Sequence, residues 1–380
     1  MTIGFSSRVL VSACALGVAG VLMITPAAAG PRTGATVPQP SVLYRSGTQV
    51  RPLPGAPEVP DVSALSWLVA DAGTGDVLAA HDAHRKLPPA STLKTLFALT
   101  VLPTLPGGIQ HTVRAEELAG VGEGSSLVGV EEGHTYRVAD LWRGVFLSSG
   151  NDAVHVLASL NGGWHTTVTR MQAKARDLGA RDTHVVSPDG YDAPDQVSSA
   201  YDLAVFGRAG LRNPDFARYC STASAQFPGE AGTFGIENTN RLLTGEDGVA
   251  RYPGLIGIKN GYTSEAGNTL VAAARRGGRT LVVTVMNPQE DGGLTVYEEA
   301  RGLLDWGFGA AGRVEPVGSL DGLRSAARPS AAAAVAAAAT TGQDGESDWP
   351  DTGVIAGAAG LGAGALVLAL RGKSGRASRD

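Results

Sequence analysis

Three short clusters carry side chains whose types and spacing can do chemistry. Ser91-Thr92-Leu93-Lys94 sets a hydroxyl and an amine three positions apart. On a helix, residues i and i+3 share a face, so these two side chains are neighbours. A serine hydroxyl is a poor nucleophile until a base takes its proton. A lysine can be that base when burial or nearby cations lower its pKa. The second cluster, Ser149-Gly150-Asn151, ends the helix that the sequence predicts over Val138–Leu147. The third, Lys259-Asn260-Gly261 with Tyr262 and Thr263 behind it, follows an apolar run at Leu255–Ile258. Each cluster has a bland alternative. Ser91 could be a simple helix N-cap, Ser-Gly-Asn an ordinary turn, and Asn260-Gly261 the tip of a hairpin. All three in this order are much harder to dismiss.

Other chemistries are excluded by composition. The two cysteines, Cys14 and Cys220, cannot build a disulfide framework or a Cys-rich zinc site. The seven histidines include no H-x-x-x-H pair, so no metal and no cofactor is expected. His155 and His184 invite a Ser/His reading, but Lys94 already offers a base, and His155 is expected to pack or cap. Cys220 is expected to be a small buried residue. The formal charge of −5 argues against a nucleic-acid surface, which wants a basic patch.

The elements that must position these clusters form a mixed pattern. Ser66–Ala70 and Val77–Ala80 read as a strand pair joined by the Asp71–Asp76 turn. A helix is predicted from Ser91 to about Leu102, a second over Val138–Leu147, and a third over Val168–Leu178 ended by Gly179. Leu255–Ile258, Thr269–Ala272 and Thr280–Val285 read as strands, the last two joined at Arg275–Gly278, and Val296–Trp306 as a closing helix. Strands at both ends with helices between imply an α/β (α+β) domain, an antiparallel sheet covered by helices.

The chain of 380 residues is longer than that domain needs. Residues 1–29 read as a signal peptide: Arg8, an apolar run Val9–Ile24, then Ala27-Ala28-Ala29. Residues 30–60 form a Pro-rich leader, 61–310 the folded domain, and 311–352 an Ala-rich stalk. Gly353–Leu370 carries no charge and spans roughly 27 Å as a helix, enough to cross a membrane. The basic tail 371–380 would stay on the cytoplasmic side. Alternatively, Trp349-Pro350-Asp351-Thr352-Gly353 before this run resembles a sortase sorting signal, with Trp349 where Leu is usual. Both readings hold the protein at the outer cell surface.

S-x-x-K, S-x-N and K-x-G in this order resemble the penicillin-binding proteins and β-lactamases. The chain is most similar to the serine-type D-alanyl-D-alanine carboxypeptidases. The likeness runs from about Ser66 to Phe308 and includes Ser187-Pro188-Asp189-Gly190, Asn238-Thr239-Asn240-Arg241 and Glu265-Ala266-Gly267. It implies a DD-peptidase/β-lactamase-like fold with an all-helical subdomain. It implies peptidoglycan stem peptides ending in D-Ala-D-Ala as substrate and β-lactam antibiotics as acylating ligands. Ser91 would be the nucleophile, Lys94 its base and Ser149 the relay to the leaving amine. Asn151 would hydrogen-bond Lys94 and the substrate. Lys259 would supply positive potential, and the N–H groups of Ser91 and Tyr262 the oxyanion hole. Asn260, Gly261 and Thr263 complete the substrate strand. The family usually has Thr where Asn260 stands. A β-lactamase of the rival class places a Glu between the second and third clusters, yet no Glu occurs from Asn151 to Gly229. A non-catalytic wall-binding protein is the other alternative, and Asn260 is the one motif residue that points to it.

Overall fold

The computed structural model describes residues 42–290 and 292–322. The proposed signal peptide, most of the stalk, the apolar run and the basic tail lie outside the described residues. Three strands come first, β1 (Thr48–Pro52), β2 (Ser66–Asp71) and β3 (Asp76–His81). A 3-10 turn, Ala90–Leu93, leads into α1 (Lys94–Val101). The middle of the chain is mostly helical: β4 (Gln110–Thr112), α2 (Ala115–Leu118), β5 (Thr135–Arg137), α3 (Val138–Leu147), α4 (Asn151–Leu160), α5 (Trp164–Asp177), α6 (Ala200–Leu211) and α7 (Pro214–Cys220). The hairpin β6 (Ser224–Gly229) and β7 (Gly232–Glu237) and the short α8 (Arg241–Thr244) follow. The chain then returns to the sheet with β8 (Leu255–Thr263), β9 (Gly267–Arg276) and β10 (Arg279–Met286). It ends in α9 (Thr295–Ala310) and the short β11 (Val314–Glu315) and β12 (Gly318–Ser319).

The main sheet is antiparallel, in the order β11-β1-β3-β2-β10-β9-β8, with β12 also on β3. Alternation along each strand splits its side chains between two cores. On one face Leu68, Ala70, Val271 and Val282 meet Leu96, Phe97, Leu203 and Phe206 of α1 and α6. On the other, Trp67, Val69, Leu281 and Val283 meet Val296, Ala300, Leu303 and Leu304 of α9. Both faces are covered, which is why β2 is buried at every position. The strand pair β9–β10 closes through Gly277-Gly278, both at positive φ (56° and 80°), the two-residue turn that matches strand twist.

Three boundaries differ from the expectations. Part of the predicted leader, Thr48–Pro52, pairs with β3, and Val314–Glu315 from the predicted stalk pairs with β1. The folded unit is therefore wider than residues 61–310. Edge strands of two to five residues are too short to show through a Pro- or Ala-rich average. The helix expected over Val168–Leu178 starts earlier, at Trp164, directly after Gly162-Gly163. Asn260-Gly261 is not a hairpin tip. Strand β8 runs on to Thr263, with Asn260 opposite Leu270 and Gly261 opposite Thr269.

Candidate active site

Pro88-Pro89 stops the preceding chain, and Ala90 adopts a left-handed φ of 49°. This conformation is strained for a residue with a Cβ, and such strain gathers at working sites. It turns the chain so that Ser91 stands in the 3-10 turn and Lys94 opens α1. The expected helix over 91–102 is thus two pieces, and the spacing argument survives because i and i+3 also align in a 3-10 helix. Lys94 Nζ donates to Ser91 Oγ at 2.7 Å and to the Asp189 carbonyl at 2.7 Å. Lys94 is buried (1% exposed). Burial pushes its pKa down to about 8, against the opposing pull of Asp189 and Asp152.

Ser149 lies between α3 and α4, again left-handed (φ 57°) and buried, and its Oγ has no hydrogen-bond partner. Asn151 opens α4. Its Nδ2 donates to Ser125 Oγ at 3.0 Å, and its buried Oδ1 has no partner. The expected Asn151–Lys94 hydrogen bond is absent; the amine bonds Ser91 and Asp189. A buried acceptor without a donor is costly; Asn151 Oδ1 is such an atom on a residue that lines the cleft, whereas Ser149 is not among the cleft-lining residues. Asp152 beside them accepts the N–H groups of Val128, Gly129 and Val130, which pins the loop carrying Ser125 over the site.

Strand β8 forms the opposite wall. A Cβ on Gly261 would lie 2.6 Å from Ser91 N, so only glycine lets the strand come this close to the nucleophile. Lys259 is buried beneath the strand, its Nζ donating to the Asn260 carbonyl at 2.8 Å. Burial and the charge of Lys94 hold the Lys259 pKa well below that of an ordinary lysine. The Lys94 pKa is lowered by burial and not by Lys259; the mutual repulsion of the two lysines falls on Lys259. Asn260 Oδ1 accepts from Thr239 Oγ1 at 3.0 Å. Tyr297, whose hydroxyl donates to the Thr239 carbonyl, lies against the same amide.

The cleft between these walls has a volume of 230 Å³, and Ser91, Asn151, Tyr262 and Thr263 all line it. Lys94 reaches it through Ser91. Lys259, Asn260 and Gly261 stand behind its wall rather than on its surface. Tyr262 is 68% exposed at the rim, an unusual place for a large aromatic ring.

Several site residues escaped the sequence reading. Asp189 supplies the second acceptor for Lys94. Gly190 (φ 80°) presses on the nucleophile turn, where a Cβ would come within 2.0 Å of the Ala90 carbonyl. Ser125, Ser126 and Tyr191 also line the cleft. The available signal was the turn-forming Pro188-Asp189-Gly190, which marks a bend without telling where it lands. His155 packs tilted against Trp164, ring centroids 4.2 Å apart, and approaches the Asp189 carboxylate at 3.7 Å, so it packs as expected while facing the site. Cys220 is buried, its thiol pushed up to about 12 by burial.

Comparison with known proteins places this arrangement. A family model described as D-alanyl-D-alanine carboxypeptidase matches residues 54–290. The carboxypeptidase DacB2 of Mycobacterium tuberculosis is 43% identical over 269 residues, 70% of this chain and 89% of the relative. DacD of Escherichia coli is 35% identical over 275 residues, 69% of this chain and 67% of the relative. Among solved structures, a D-alanyl-D-alanine carboxypeptidase from M. tuberculosis superimposes with a TM-score of 0.65 at 41% identity, over 71% of this chain and all of that one. The Streptomyces K15 DD-transpeptidase gives 0.62 at 27% identity, over 66% of this chain and 99% of that one. The fold, with its antiparallel sheet and helical insert, is that of the DD-peptidases, and this chain belongs to the D-alanyl-D-alanine carboxypeptidase family of serine peptidases.

Proposed function

We propose that Ser91, Lys94 and Ser149 carry out the D-alanyl-D-alanine carboxypeptidase reaction on peptidoglycan stem peptides, with Asn151 and residues 259–263 holding the substrate. The observation that carries this assignment is the 2.7 Å contact between Lys94 Nζ and Ser91 Oγ, made by an amine whose burial lowers its pKa to about 8, so that it gives up its proton far more readily than an ordinary lysine. Ser91 Oγ attacks the carbonyl carbon of the terminal peptide bond and its proton passes to Lys94. The oxyanion is received by the Ser91 and Tyr262 N–H groups. The bond to nitrogen breaks, Ser149 relays a proton to the departing D-alanine amine, and water hydrolyses the Ser91 ester. Lys259 lends positive potential from behind β8, and Asn151 Oδ1 and Nδ2 hold the substrate amide. A β-lactam carries the same acyl carbonyl and acylates the same serine, and with no Glu from Asn151 to Gly229 to activate a deacylating water the adduct is long-lived.

Export and attachment at the outer cell surface belong to the same proposal. They rest on the pattern of residues 1–29 and 353–380, which lie outside the described residues. Among the described residues, no helix is long and apolar enough to cross a membrane.

The test is release of D-alanine from diacetyl-Lys-D-Ala-D-Ala, beside labelling by a fluorescent penicillin. Wild type is expected to do both and Ser91→Ala neither. Equal release by the two proteins, or rapid turnover of benzylpenicillin with no lasting adduct, would overturn the assignment.

A further inference from the structure

Asp189 reaches the catalytic lysine in two ways. Its main-chain carbonyl accepts from Lys94 Nζ at 2.7 Å, alongside the 2.7 Å bond to Ser91. Its side chain, 2% exposed, folds back on its own turn, accepting from Ser187 Oγ and from Tyr191 N at 3.0 Å. This Asx turn holds Gly190 against the Ala90 carbonyl and sends Tyr191 into the cleft wall, where its hydroxyl donates to the Glu123 carbonyl at 2.8 Å. On the far side of the carboxylate stands His155, with Nε2 at 3.7 Å from Oδ2. The His155 ring is wedged between Trp164 and Gly120, where a Cβ would lie 3.1 Å from Cε1.

A turn needs only an acceptor at this position, and Asn would serve as well as Asp. Burying a full charge to make a turn is costly unless the charge has other uses. Burial alone would raise the Asp189 pKa. His155, the charge of Lys94, the Ser187 hydroxyl and the Tyr191 N–H together hold it below the ordinary carboxylate value. Three charged groups face Lys94: Asp189, Asp152 and Lys259. Asp152 is absorbed by the N–H groups of the 128–130 loop. Lys259 is held on its own strand carbonyl. Asp189 is the carboxylate that acts most strongly on the lysine.

We propose that Asp189 is a positioning residue for Lys94, its carbonyl aiming the amine at Ser91 while its ionised carboxylate, buttressed by His155, sets how readily that amine gives up its proton. The inference rests on Lys94 being the base. It gives Asp189 and His155 a function in the reaction beyond holding a turn.

The experiment is the pH profile of kcat/KM for D-alanine release by wild type, Asp189→Asn and His155→Leu, with penicillin labelling to show a formed site. The acid limb reports the pKa of the base in the free enzyme. Asp189→Asn keeps an acceptor for the turn and removes the charge. Its acid limb is expected about one pH unit lower than that of wild type. His155→Leu leaves the carboxylate less neutralised, so its limb is expected to move the opposite way, to higher pH. An unmoved limb in a penicillin-labelled Asp189→Asn protein overturns the proposal. If that variant does not fold, an unmoved or lowered limb in His155→Leu overturns it instead. A wild type that releases no D-alanine defeats the functional assignment, not this inference.

Discussion

Two cavities lie along strands β8 and β9, and the larger one is not the one that Ser91 lines. At the end marked by Ile256 and Arg275, a cavity of 520 Å³ is lined by Arg208, Arg212, Arg275 and Arg279. From there to Gly261 is about 17 Å of extended strand. The serine cleft is less than half that size, 230 Å³. Each of the three guanidinium nitrogens of the buried arginine of the larger cavity makes a hydrogen bond. Arg208 donates to the Ala72 carbonyl at 2.9 Å and Asp321 at 2.8 Å, and reaches the Gly73 carbonyl at 3.3 Å. Arg279 pairs with Asp71 at 2.8 Å. A guanidinium cannot be deprotonated in a protein, so these charges hold a turn and transfer no proton. The elements that build the cleft instead carry two buried lysines with lowered pKa values, Lys94 and Lys259, two left-handed residues that are not glycine, Ala90 and Ser149, and two buried polar atoms without partners. Local cost, rather than volume, marks where the chemistry is done.

The largest contrast is expected from Lys94→Met. Losing the base should lower kcat/KM for D-alanine release by about 10³-fold. The same substitution exposes what the lysine costs the fold. Between pH 8 and 10.5 the unfolded lysine still binds a proton that the folded one has lost, so wild-type stability rises with pH through this window. The penalty is in full force below pH 8. The stability difference between wild type and Lys94→Met should therefore move in favour of wild type by on the order of 3 kcal/mol across that range, read by urea unfolding. A difference that stays flat with pH would mean the amine is not held neutral by burial.

A smaller effect is expected from the strand wall. Gly261→Ala brings a Cβ to 2.6 Å from Ser91 N and 2.8 Å from Thr269 Oγ1. Strand β8 must then move out and carry the Tyr262 N–H with it. The rate of acylation by a fluorescent penicillin should fall about 10²-fold, the scale of a lost oxyanion donor. An unchanged rate would show that Tyr262 N–H is not part of the oxyanion hole.

The same two regions show what can be read from a chain and what cannot. Strands β2, β3 and β10 and helix α3 match their expected bounds to within a residue, because each lies against a core that the hydrophobic pattern reports, whereas β9 runs beyond the expected Thr269–Ala272 to Gly267–Arg276. The local pair Ser91 and Lys94 was legible for the same reason, since three residues of helical chain fix their separation. Asp189 was not. It meets Lys94 across 95 positions of sequence, and its neighbours are the residues of any turn. Asn260-Gly261 alone was ambiguous, because the dipeptide that favours a hairpin also suits a strand that must approach another backbone closely. Which use applies depends on Ser91 N, a contact no local pattern encodes.

The last contrast concerns the arginine end. Arg208→Met keeps most of the side-chain volume and removes every donor. The Ala72 and Gly73 carbonyls lose their charged partner, while Asp321, whose side chain is 41% exposed, can turn to water. The cost should therefore come from the carbonyls, about 2 kcal/mol of stability by urea unfolding. The β2–β3 turn would loosen, but β2 is paired along its whole length with β10 and sits three strands from β8. Below the unfolding transition, kcat/KM and its acid limb should match wild type. A shifted limb would mean that the arginine charges reach Lys94 through the sheet, and that the two cavities are one electrostatic system. An unchanged limb, set beside the movement expected from Asp189→Asn, would confine control of the lysine to the charge of Asp189, whose main-chain carbonyl the amine bonds.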